Sequence, residues 1–313
     1  MSEEKLTRLK SIAAEIADLT YAGALLGWDQ QVNMPPGGAE GRGYQLATLQ
    51  TLAHARLTAP ETGQLLDDLQ AYAAQLDPDS DDARYIKVAK RLYDKQTKVP
   101  GEWIGEFAKA TTQAHQLWAQ ARAEDNFSLF QPSLEHIMAL RREYADFFAP
   151  YDHVYDPLLD DFEPGLKTVD VKAIFSTLRP QQVELIKAIT AQPQVDNTFL
   201  YQPFDEQKQW DFGVEVITKM GHDWERSRQD KVAHPFTTNF GSGDVRITTR
   251  IYPEYLGTGL FGTLHESGHA SYELGVDPRY NRGVLGGGAS LAVHESQSRM
   301  FENLIGRSYP FWQ

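Results

Sequence analysis

The chain contains no cysteine among its 313 residues. That absence excludes disulfides and every thiolate metal site, so any metal must be held by His, Asp and Glu. No apolar run approaches the roughly 20 residues that a membrane-spanning helix needs. Basic residues are outnumbered, 30 against 43 acidic ones, for a net charge of −13. With no basic cluster to offset it, this balance argues against nucleic-acid binding. Repeats, low-complexity tracts and flexible linkers are lacking too. Met1-Ser2-Glu3-Glu4-Lys5 has no basic stretch leading into an apolar one, so no secretory leader is expected and a cytoplasmic location is.

What is present is helical periodicity. Leu6, Leu9, Ile12, Ala13, Ile16 and Leu19 recur at spacings of three and four. Similar stripes run through Tyr44–Ala53, through Leu65–Leu76 after Pro60, and through Ile86–Tyr93 after the acidic start Asp79–Asp82. A long helix is expected from Glu102 to about Glu124, and another from near Pro132 to Phe147. Two more are expected around 168–191 and 205–226. The apolar stripes read as core. One segment differs: Asp244–Ile251 alternates, with Val245, Ile247, Thr249 and Ile251 on one face, and reads as a strand. Phe236–Phe240 and the turn Gly241-Ser242-Gly243 precede it, which predicts a β-hairpin. The fold class is therefore mainly α, with a small antiparallel β-sheet.

Directly after that hairpin stands His265-Glu266-Ser267-Gly268-His269, an HExxH motif. Helical residues i and i+4 share a face, so both imidazoles can reach one metal ion, with Glu266 nearly alongside. So short a pattern arises by chance, and its context decides. Leu260, Phe261, Leu264 and Ala270 make the helix largely buried. Two His and a Glu on a buried helix are costly unless something satisfies them, and a metal ion does so. A catalytic zinc takes three protein ligands and leaves one position open. The third candidate is Glu295, in His294-Glu295-Ser296-Gln297, on a second helix that packs back after a Gly-rich connection. Glu302, seven positions further on, can fall on the same face and reads either as a solvated carboxylate or as a group orienting a histidine. The expected roles are metal ligation by His265, His269 and Glu295, and general-base catalysis by Glu266 on the attacking water. His234, Arg246 and His294 are expected near the site or the substrate groove. Arg246 is read chiefly as structural, pairing with Asp244 or a helix-end carboxylate, and His294 as positioning Glu295. Trp28 and Asp29 are read as packing and helix-end residues.

His234-Pro235-Phe236, Asp244-Val245-Arg246-Ile247-Thr248, the HExxH segment and His294-Glu295-Ser296-Gln297 follow one another in this order. Together they resemble the carboxypeptidase Taq family of zinc metallopeptidases. Leu26-Gly27-Trp28-Asp29-Gln30 with Met34-Pro35, and Tyr155–Asp161, resemble that family as well. The resemblance implies a long-helix, gluzincin-like fold around a deep groove, with a three-stranded sheet beside the metal. It implies a homodimer, one Zn²⁺ per chain, and removal of single residues from peptide C-termini with broad tolerance. Co²⁺ or Mn²⁺ suits the same donors. Residues 1–313 are expected to form a single peptidase domain, with 1–233 as helical scaffold and groove wall and 234–313 as hairpin and zinc-binding helices. Family members are longer and carry two later motifs, one with an arginine and an Ala-Asp-Glu run, the other Gly-x-x-Gln. The chain is therefore expected to be incomplete at its C-terminal side. Two alternatives stand beside the peptidase: a truncated, non-catalytic zinc-binding fragment, and a related helical HExxH oligopeptidase that cuts internally. Neither nucleic acid nor membrane is an expected partner; peptides are.

Overall fold

The computed structural model describes residues 2–313. Helices dominate: α1 (Ser2–Val32), α2 (Ala39–Leu57), α3 (Pro60–Ala73), α4 (Asp81–Gln96), α5 (Gly101–Ala123), α6 (Phe127–Asp146), the short α7 (Asp156–Asp160), α8 (Thr168–Thr190) and α9 (Glu206–Lys219). Three strands follow, β1 (Ser227–Lys231), β2 (Thr237–Asn239) and β3 (Val245–Thr249). Then come α10 (Leu256–Leu274) and α11 (Leu291–Arg299), the latter continuing as a π-helical turn over Met300–Ile305.

Local chemistry explains several boundaries. The Ser80 hydroxyl accepts from Ala83 N at the start of α4, with Asp81 and Asp82 in the first turn. Asp205 caps α9 through Lys208 N, and Ser290 caps α11 through Val293 N. Pro60 opens α3 where its missing N–H costs nothing. In α6 the prediction needs correction, because the helix begins at Phe127 and contains Pro132 internally. One lost backbone bond near its start is tolerated because the helix packs against α5, where Trp103, Ala110, Leu140 and Tyr144 form a core.

Helix α9 also ends before its expected limit of 226. Gly221 takes φ +90°, a left-handed conformation that glycine reaches without steric cost, and it stops the helix. The chain then enters β1, a strand that no alternation announced. The sheet order is β1-β3-β2. β2 pairs with β3 in antiparallel register, Thr237 opposite Ile247, as the expected hairpin requires. β1 runs parallel to β3, Ser227 opposite Val245, so the sheet is mixed and not wholly antiparallel. Its Ser-Arg-Gln-Asp-Lys sequence is polar because β1 is an edge strand.

A second apolar core joins this sheet to the helices behind it. Val245 and Ile247 of β3 pack with Ile217 of α9 and Leu260, Leu264 and Ala270 of α10. Burial there removes α10 from water and sets its face toward α11. A third core holds α1, α3 and α4 together through Leu6, Leu9, Leu66, Leu69 and Ile86. Helix α8 breaks the expectation that apolar stripes are core. Its Ile174, Phe175, Leu185, Ile186 and Ile189 are exposed, since no other described element covers that face. Among the described residues no helix is long and apolar enough to cross a membrane.

His222, next to Gly221, is buried, with Nε2 on Ser227 Oγ at 2.8 Å and Nδ1 unpartnered. Burial disfavours its charged form and lowers its pKa to about 4. An unfolded histidine titrates near 6.5, so in acid the unfolded chain binds a proton that the fold refuses. The resulting stability is fully present above about pH 6.5 and is lost as pH falls toward 4, by at most roughly 3 kcal/mol. The His222→Asn variant is expected to unfold with a shallower pH dependence between pH 7 and 4.5. Parallel stability curves for variant and parent would refute this assignment.

Candidate metal centre

Helix α10 brings His265 and His269 to one face, and α11 lays Glu295 across it. Nε2 of His265 lies 3.5 Å from Glu295 Oε2, and Nε2 of His269 lies 3.2 Å from the same oxygen. The donor atoms of the three residues all fall within 4.8 Å of one another. Ligands about 2.0–2.2 Å from a tetrahedral ion stand about 3.3–3.6 Å apart. The two distances to Glu295 fit that spacing, and two imidazoles with one carboxylate suit a borderline divalent cation.

The two helices meet this closely because of Gly268, inside the HExxH motif. A Cβ there would sit 2.7 Å from Ser298 Cα and 2.9 Å from Gln297 O, both backbone atoms of α11. Glycine alone lets the α11 backbone approach to that distance and so carry Glu295 to the histidines.

The electrostatics suit ligation. Burial first, then the neighbouring His294 and His265, lower the His269 pKa to about 4, which keeps the ring neutral with a lone pair to give. Burial alone would raise the Glu295 carboxyl, but Ser298, His265 and Arg299 together hold it below its ordinary value. Arg299 donates to Oε1 at 2.8 Å, leaving Oε2 directed at the two rings. On the far side of His265, Nδ1 meets Glu302 Oε2 at 3.0 Å. Glu302 is in turn held by Arg307 at 2.8 Å and Arg299 at 3.2 Å. It is thus a histidine partner and not a solvated carboxylate. The π-helical turn that carries it sets its reach.

Glu266 is 5% exposed and does not join the three converging donors. Burial is the main influence on its carboxyl and raises its pKa. Its Oε2 accepts from Thr237 Oγ1 on β2 at 2.7 Å. Thr237 was not singled out from the sequence, since only the strand pairing shows that β2 reaches α10. Glu273 was missed as well. It sits four residues after His269, on the same helical face, and that spacing was the available signal. Its Oε1 lies 2.7 Å from His294 Nε2.

Arg246 donates twice to Asp244, at 2.9 and 2.8 Å, and stacks over Trp28 and Phe240 at 4.3 and 4.9 Å. His234 is exposed, with its ring edge-on to Trp118 at 6.4 Å, three residues before Thr237. His294 lies directly behind His269, the two Nδ1 atoms 2.5 Å apart. Trp28 is buried, and Asp29 pairs with Arg42 at 2.7 Å.

A family model described as carboxypeptidase Taq (M32) metallopeptidase matches residues 8–313. The chain belongs to the M32 family. Thermostable carboxypeptidase 1 of Thermus thermophilus is 37% identical to it over 99% of this chain and 63% of that protein. Carboxypeptidase 1 of Bacillus subtilis is 33% identical over 95% of this chain and 59% of that protein. The crystal structure of the M32 carboxypeptidase from Deinococcus radiodurans R1 superposes with a TM-score of 0.85 at 38% identity, covering 99% of this chain and 62% of that one. The chain thus spans about three fifths of the length of the M32 relatives it matches. M32 membership and the three-donor cluster together point to a divalent metal.

Proposed function

We propose that this chain carries the catalytic centre of a zinc-dependent carboxypeptidase that removes single residues from peptide C-termini with broad side-chain tolerance. The observation that carries the reading is the convergence of His265, His269 and Glu295 on one point, with a buried carboxylate, Glu266, beside them on the same helix as the two histidines and held by Thr237 through one oxygen only. Zn²⁺ is the proposed ion, with Co²⁺ or Mn²⁺ able to use the same donors. When bound, such an ion polarises the scissile carbonyl and lowers the pKa of water toward about 7.

The chain's own residues supply the rest. Thr237 engages Oε2 of Glu266 and fixes the carboxylate, which leaves Oε1 to take the proton of the attacking water and pass it to the departing amine. Burial makes that carboxylate more basic than an exposed one. β2 is an edge strand beside Glu266, so an extended peptide can pair with it through main-chain hydrogen bonds. Residues 1–313 are read as one peptidase domain, with 1–233 as scaffold and groove wall. A homodimer goes with the family resemblance, and a cytoplasmic location is proposed with it.

The test is digestion followed by mass spectrometry, using one peptide in free and C-terminally amidated forms, with the metal content measured on the same preparation. One-residue ladders from the free peptide alone, abolished by a chelator, are expected. Internal fragments, or equal cleavage of the amidated form, would instead indicate an oligopeptidase. The three-fifths span favours one further arm, in which this chain is compared with a version extended to the length of its relatives. Metal binding by both, with turnover only in the longer one, would make these 313 residues a zinc-binding portion whose substrate wall is supplied by the extension.

A further inference from the structure

The two histidines of the HExxH motif are backed by different partners. His265 Nδ1 meets a carboxylate directly, at Glu302. His269 Nδ1 meets another imidazole, Nδ1 of His294 at 2.5 Å, and His294 Nε2 then meets Glu273 Oε1 at 2.7 Å. Glu273 is 7% exposed, so its charge is screened little by water. Two ring nitrogens at hydrogen-bond distance share one proton between them. A neutral His269 that offers its Nε2 lone pair to a cation shared with Glu295 Oε2 carries its proton on Nδ1, and so donates to His294. A neutral His294 that accepts on Nδ1 carries its own proton on Nε2, and so donates to Glu273. Every proton on this path then has one arrangement.

The His294 ring is also clamped. The Tyr272 ring lies 4.8 Å away, and the Tyr272 hydroxyl accepts from Ala289 N at 3.3 Å. On another side, a Cβ at Gly288 would come within 2.8 Å of His294 Cδ2, so the Gly-rich connection lets the ring in. We infer that His294 and Glu273 are positioning residues: Glu273 orients His294, and His294 fixes the tautomer and ring plane of His269, so that its Nε2 faces the cation. This assignment moves His294 from supporting Glu295, its chain neighbour, to supporting His269, and it rests on the metal reading above.

The test uses the 313-residue chain, zinc titrated against a competing chelator, and nitrogen-15 NMR of labelled histidines in the zinc-loaded protein. His294→Ala and the isosteric Glu273→Gln should each weaken zinc about 10- to 100-fold, as loss of a ligand's hydrogen-bond partner does. Because the two act through each other, the double variant should bind no more weakly than His294→Ala alone. In the parent chain, His269 should be protonated on Nδ1 and His294 on Nε2 only. That NMR result needs no variant to fold. A His294 that is doubly protonated or Nδ1-protonated, additive losses, or unchanged zinc affinity in both variants would overturn the relay while leaving the metal site standing. A parent chain that takes up no zinc would overturn the metal reading, and the relay with it.

Discussion

Glu266→Gln is expected to lower peptide hydrolysis by roughly 10²- to 10⁴-fold, the usual contribution of a positioned general base, while zinc affinity stays within a few-fold. Glutamine keeps the size and shape of glutamate, and its amide oxygen can still accept from Thr237, which now donates to Oε2 at 2.7 Å. What it cannot do is hold a proton. Glu266 also stands apart from the converging atoms of His265, His269 and Glu295, so its replacement removes no donor. A steady-state rate and a zinc titration on the same preparation check both halves. Retained hydrolysis would remove Glu266 from the base role. Lost zinc together with lost rate would make it part of the binding set.

Gly268→Ala is expected to weaken both the fold and the metal site. Two effects oppose each other. Alanine within a helix gains about 1 kcal/mol over glycine. Against that, the new methyl meets backbone atoms of α11 at 2.7 and 2.9 Å, and backbone cannot turn aside as a side chain can. Overpacking typically costs about 1–3 kcal/mol, so the balance is a net loss of up to about 2 kcal/mol. The effect on ligation should be larger than the effect on stability. Ser298, the residue struck, is three positions from Glu295 and donates to its carboxylate at 3.0 Å. A shift of α11 therefore moves Glu295, the proposed third ligand, relative to the histidines. Thermal unfolding with and without zinc checks this, the stabilisation by zinc being expected to shrink more than the metal-free melting temperature falls. An alanine variant that melts no lower and binds zinc as tightly would show that α10 and α11 are not held at this distance.

Much of the centre was legible from residues close together in the chain. The i, i+4 spacing of His265 and His269 places both rings on one helical face whatever the helix packs against. Glu295 was legible because it stands in a second helical segment, with the right donor chemistry and enough chain between to fold back. Alternation announced β3, and the turn glycines announced the β2–β3 hairpin. β1 was not legible, because an edge strand of polar residues has neither alternation nor an apolar run, and its parallel pairing comes from a distant segment. Helix α8 misled in the opposite way. Its stripe has the period of a buried helix, yet period says only that a face is apolar and not that anything covers it.

The sequence by itself determined the donor types, their helical faces and the mainly α architecture. All of these follow from local backbone periodicity and from the chemistry of the side chains. Only the tertiary structure decided which partner each group meets. Thr237 is bound to Glu266 because β2 lies beside α10, and His294 backs His269 because Gly268 lets α11 settle against the HExxH turn. Such contacts depend on the distance between helix and strand axes. That distance is set by packing in the core of Val245, Ile247, Leu260 and Leu264, which no local pattern records.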